Sequence, residues 1–142
     1  MADPIGAAGW PPRPVRALLG PLGASGAGMG AMGKALDVIS QNIANAETTR
    51  TPEGGPYQRK VVVFQRTSDG GVEASQVVTD TSPGSEEYDP GHPDADANGF
   101  VKLPNVDINT EIVDLMIARR VHDANATVFQ AAKAMLRRAI DI

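Results

Sequence analysis

Residues 28–35 read GMGAMGKA, one position short of the phosphate-binding loop G-x-x-x-x-G-K-[ST]. In such a loop the glycines let backbone N–H groups wrap the phosphates, the Lys reaches the outer ones, and the final hydroxyl ligates Mg²⁺. Gly28, Gly33 and Lys34 are in place, but Ala35 offers the metal no oxygen. A second stretch, residues 94–105, fits the start of a calcium loop with Asp94, Asp96, Asn98, Gly99 and an apolar Val101. Its twelfth position is Asn105 where a bidentate Glu belongs, and Pro93 and Pro104 exclude flanking helices. We read it as an Asx-rich turn feeding a strand at Phe100. The two histidines, His92 and His122, are thirty residues apart and no Cys accompanies them, so no zinc-ligand spacing emerges. Without Cys there is no thiolate nucleophile, and no Ser, His and acid grouping stands out. The expectation is no enzyme, no cofactor and no metal.

The elements that must carry these residues set further limits. The chain has 142 residues, the size of one domain, with six aromatic residues against 15 Gly and 11 Pro, so an isolated chain has little with which to build a core. A net charge of −4 leaves no basic surplus for a phosphate backbone, and nucleic acid is not an expected partner. No apolar run approaches the roughly 20 residues of a membrane span, so membrane insertion is not expected either. The opening residues lack a basic n-region with an unbroken apolar run, the mark of a cleaved secretory signal.

Pro4, Pro11, Pro12 and Pro14 around Trp10 predict an extended leader over residues 1–16. A helix is predicted over 17–49, where Leu22, Met29, Leu36 and Ile43 recur every seven residues and Met32 and Ile39 complete an a/d seam. Six glycines between Gly20 and Gly33 each weaken that helix by up to ~1 kcal/mol relative to Ala, so it should hold only when packed. No strand precedes GMGAMGKA, and its glycines read as points of close helix approach. Residues 50–107 form a small β-rich unit: a hairpin of 57–65 and 72–78 turned at Gly70 and Gly71, an acidic loop from Asp80 to Asp96, and a short strand from Phe100 to Leu103. Residues 108–142 predict one long amphipathic helix with Ile117, Val121, Ala124, Val128, Ala131, Met135, Ala139 and Ile142 on one stripe. Its only possible partner within the chain is the seam of the first helix. The fold class is α+β: coiled-coil helices at both ends bracket a small β domain, in an open structure completed by assembly.

Three segments, 36–65, 88–107 and 111–135, closely resemble the proximal rod proteins of the bacterial flagellar basal body, within the rod and hook axial family. Asn42, Ala44, Asn45 and Thr48 match the signature shared by rod and hook proteins. Pro56, Tyr57, Tyr88, Pro90, His92, Pro93, Pro104, Asn105 and Val106 belong to the other matching stretches. The resemblance implies a structural subunit exported unfolded through the flagellar type III apparatus, without a cleaved signal, into the periplasmic space. There it would stack with copies of itself and other rod proteins into the drive shaft, the terminal helices forming the inner layer. Asn42 and Asn45 read locally as capping and turn residues at the end of the first helix, and functionally as part of a packing joint between subunits. The alternative is a soluble helical-hairpin adaptor binding one partner stoichiometrically.

Overall fold

A computed structural model describes residues 13–141. Two long helices, α1 (Arg13–Ala44) and α2 (Ile108–Asp141), bracket two antiparallel strand pairs, β1 (Lys60–Arg66) with β2 (Val72–Thr79) and β3 (Glu86–Tyr88) with β4 (Phe100–Lys102). The α+β order follows the periodicities of the sequence. Helix α1 starts at Arg13, inside the stretch read as leader, because Pro14 stands in a first turn that has no use for its missing N–H. The rest of that stretch lies outside the described residues. The helix ends at Ala44, where Asn45 donates from both its backbone N–H (3.1 Å) and its side-chain Nδ2 (2.8 Å) to the carbonyl of Gln41. Asp107 caps α2: its carboxylate accepts from the Asn109 N–H (3.2 Å) and the Thr110 hydroxyl (2.7 Å), and its carbonyl from the Glu111 N–H (3.0 Å).

The helices run antiparallel, with Asn42 beside Glu111, Gly28 beneath Asn125 and Gly26 against Phe129. A Cβ on Gly28 would stand 2.7 Å from the Asn125 amide nitrogen, so here the glycine makes the close approach possible. The side chains buried along this contact are small: Ser25, Ala31, Ala35 and Val38 on α1, Ala118 and Ala132 on α2. On α1 the heptad facing α2 is therefore 28, 35 and 42. The larger residues expected there, 29, 36 and 43, are rotated one position round the helix and only half-buried. Small residues take the inner place because only they let two backbones come this close.

The β1–β2 hairpin lies along α1. Its base is fixed where Asn42 meets Lys60, and at its tip Gly71 comes against Ala27. Fifteen helical residues rise about 22 Å, which seven extended residues at about 3.3 Å each also cover. At the tip the Thr67 N–H donates to the Gly71 carbonyl (2.9 Å) and Gly70 has φ +86°. The first strand begins at Lys60 instead of residue 57, because the Tyr57 and Arg59 amides donate to the Thr48 carbonyl (2.9 Å) and Asn105 Oδ1 (2.7 Å). A correction falls on the acidic loop, which contains β3. Three residues are too short for a readable alternation, yet Tyr88 pairs with Phe100 edge to face, centroids 5.3 Å apart.

Candidate assembly surface

One buried joint fixes how helices and hairpin meet. Asn42 is 1% exposed and uses its whole hydrogen-bonding capacity. Nδ2 donates to the Lys60 carbonyl (2.8 Å) and to Glu111 Oε2 (3.1 Å), while Oδ1 accepts from the Tyr57 hydroxyl (2.9 Å) and the Lys60 N–H (2.9 Å). Asn42 therefore does not cap α1; it ties α1 to β1 and α2, and Asn45 alone plays the terminal role. Glu111 is fully buried, and its second oxygen accepts from Arg59 Nε, whose guanidinium also lies 3.5 Å from Asp114. A buried carboxylate needs such a partner. The Glu111 hydrogen bond holds Arg59 still more firmly protonated, whereas burial, with the Glu111 charge second, pushes the Tyr57 hydroxyl above its ordinary pKa.

Around the joint the remaining motif residues act as braces. Asn105 Nδ2 donates to the carbonyls of Asp80 and Ser82, both at 2.9 Å. The Thr48 hydroxyl donates to Asn45 Oδ1 (3.2 Å). Asp94 accepts from the Thr49 hydroxyl (2.7 Å) and Arg50 Nε (2.7 Å), and these contacts, Thr49 first, hold its carboxyl below the usual range. His92 Nδ1 accepts from the Asp94 N–H (3.0 Å), and Tyr88 stands 65% exposed beside Pro90 and Gly99. Pro104 is buried, Pro56 and Val106 are half-buried, and Ala44 and Pro93 are exposed. Arg59, Glu111 and Asp114 were not singled out by the sequence. An ion pair between positions 52 apart leaves no local pattern, although a Glu at the head of the 111, 118, 125, 132 heptad was a visible irregularity.

The stripe residues divide. Met32 and Ile39 of α1 and Ile117 and Val121 of α2 come together with Phe64 around an apolar groove of about 340 Å³, floored by Asn42 and Glu111. Leu22, Met29, Leu36 and Ile43 are half-buried. Ala124, Val128, Ala131 and Met135 face outward with Ala139, Val128 at 48% and Met135 at 55% exposure, and Ile142 lies outside the described residues. Among the described elements α2 packs closely on α1 alone, and much of its large apolar face, including Val113 and Met116, is exposed in the single chain. Contiguous exposed apolar faces are a common feature of interaction sites.

The decoy motifs resolve differently. Residues 28–35 lie in mid-helix, their N–H groups committed to the helix ladder and Ala35 buried, so they form no phosphate cradle. In the calcium-like stretch Asp94 is held by Thr49 and Arg50, and Asp96 Oδ1 accepts the amides of Asn98 (2.8 Å) and Phe100 (2.9 Å), an Asx turn. No helix among the described residues is long and apolar enough to cross a membrane.

Residues 97–142 match the family described as flagellar basal body rod FlgEFG protein C-terminal. Over 131 residues the chain is 39% identical to flagellar basal-body rod protein FlgC of Salmonella typhimurium, covering 89% of this chain and 98% of that protein. It is 39% identical over 129 residues to the FlgC of Borreliella burgdorferi and 38% over 128 to that of Bacillus subtilis, in each case 75% of this chain and 85% of the relative. The chain belongs to the FlgC family of flagellar basal-body rod proteins.

Proposed function

We propose that this chain is a structural subunit of the flagellar rod that polymerises through its terminal helices into the shaft transmitting torque from motor to hook. The observation that carries the reading is the α2 stripe: Val121, Val128 and Met135 are each 40% exposed or more along a helix that, among the described elements, packs closely only on α1. In water such a face is unfavourable by about 25 cal/mol per Å² of apolar surface, and neighbouring subunits would remove it. The Asn42–Glu111–Arg59 joint suits a part under load, because it fixes the hairpin on the helices by directional bonds as well as by packing. Its partners on this reading are other rod proteins, copies of itself, and the type III export apparatus that would carry it unfolded to the periplasm. The role calls for no catalysis.

Size exclusion with light scattering, on the purified chain alone and mixed with other rod proteins, tests the reading. Polymerisation or growing mixed assemblies are the expected result. A single stoichiometric complex that never grows would instead favour the helical-hairpin adaptor.

A further inference from the structure

Two surfaces at opposite ends of the molecule complement each other. At the β end, Tyr88 (65% exposed) and Phe100 (40% exposed) stand as an edge-to-face pair on a strand pair that packs on neither helix among the described residues. Gly99, at φ +85°, lets the Tyr88 ring close over it, for a Cβ there would lie 2.8 Å from the ring. The aromatic pair is therefore fixed in place while still in water. Residues 80–96 around it carry six acids and no base, and the only cation on the two strands is Lys102, opposite Glu86. At the far end of α2, residues 124–141 carry Lys133, Arg137 and Arg138 against a single acid, Asp141. Arg138, three residues after Met135 and one before Ala139, flanks the exposed row of Ala124, Val128, Ala131 and Met135, so a cation borders its far end.

These surfaces do not meet within one chain. Asn105 and Asp94 tie the β3–β4 region to Arg59 and to the end of α1, beside the start of α2. From Ile108 to Met135 the helix rises about 40 Å. We propose that the acidic aromatic pair of one copy docks on the basic end of the α2 stripe of a second copy, with the Arg138 guanidinium over the Tyr88 ring and beside the carboxylate of Glu86, which shares the Tyr88 face of the strand. Rigid Tyr anchors and Arg partners are the residue types that dominate such contacts. The contact is head to tail between different surfaces, so it leaves one of each free and propagates without closing. It rests on the rod-subunit reading and adds the identity of the meeting faces.

The absence of Cys makes a direct test available. Lys102→Cys and Ala131→Cys each place one thiol beside a proposed face and leave the anchors intact. Mixing the two chains under mild oxidation should give a crosslinked heterodimer well above either homodimer. Adding Arg138→Glu to the second chain should cut its yield about tenfold, and Glu86→Lys in the first should restore it. Circular dichroism of each variant checks that the fold is kept. In intact basal bodies the double-cysteine chain should give a ladder of its own multiples. No crosslink in solution or in rods that do contain the chain would overturn the docking and leave the rod reading standing. Crosslinks from residue 131 to a different rod protein alone would equally overturn the second-copy partner. Absence of the parent chain from basal bodies would instead overturn the rod reading.

Discussion

The glycines of α1 allow a test in which local propensity and assembly pull in opposite directions. A Cβ added at Gly30 or Gly33 meets nothing within 4 Å in the single chain, whereas at Gly28 it meets the Asn125 amide at 2.7 Å. Replacing Gly by Ala inside a helix gains about 1 kcal/mol, so Gly30→Ala with Gly33→Ala should favour helical α1 by about 2 kcal/mol, roughly thirtyfold in the local equilibrium. At Gly28 the same gain is offset by turning Asn125 out of its rotamer, a cost of about 0.5–1.5 kcal/mol, and the net change should be close to zero. Far-ultraviolet circular dichroism of the dilute chain reads both effects. The double variant should gain helix and melt higher, while Gly28→Ala should barely move. If the open glycines face neighbouring subunits, the double variant should nevertheless enter rods less well. A double variant that gains no helix, or a Gly28→Ala chain that gains as much, would refute the geometry assigned to these positions.

Other expectations follow from the joint, its braces and the uncovered helices. Asn42→Leu leaves both Lys60 backbone groups and one Glu111 oxygen without their partner and should cost about 3 kcal/mol or more, seen as lost amide-exchange protection along β1. Asp94 has its carboxyl depressed by Thr49 and Arg50, so its contribution is present above the ordinary carboxylate pKa of 3.8 and is lost as pH falls below it. Amide protection in residues 89–96, taken relative to the intrinsic exchange rate at each pH, should fall on acidification through that range, and Asp94→Asn should remove this dependence. Because α2 covers only α1, the dilute chain should show well under about 40% helix by circular dichroism and gain it on assembly. ATP or GTP at micromolar concentration should not alter melting, and Lys34→Ala should leave assembly intact.

The parts of this molecule that repeat were legible in its sequence, and the parts made by single long-range contacts were not. The start of α2 at Ile108 and the Gly-turned hairpin follow from apolar periodicity and turn chemistry, which are local. The inner face of α1 was misplaced by one position because apolar residue size was used to find the seam, while close approach selects Gly28, Ala35 and Asn42. Strand β3 was hidden because Glu86 and Glu87 are ordinary solvated residues whose pairing depends on a segment fourteen residues away. At the joint, Asn42, Tyr57 and Asn105 were singled out by family resemblance, without their chemistry. Arg59 and Glu111 became visible only when the fold placed a carboxylate with no solvent access against a guanidinium.

If the outward stripe of α2 is an assembly contact, two aspartates placed one residue apart on that helix should behave differently. Val128 is 48% exposed in the single chain, and Thr127 beside it is exposed on the polar side, its hydroxyl donating to the Asp123 carbonyl at 3.1 Å. Val128→Asp and Thr127→Asp should therefore leave the free chain equally stable and equally helical. In an assembled contact the first buries an unpaired carboxylate at a cost of several kcal/mol, and the second does not. Measured by blotting purified basal bodies and by swimming motility, Val128→Asp should be absent from the rod and abolish swimming while Thr127→Asp supports both. Equal motility in the two strains, with the Val128→Asp chain recovered from intact basal bodies, would contradict the account.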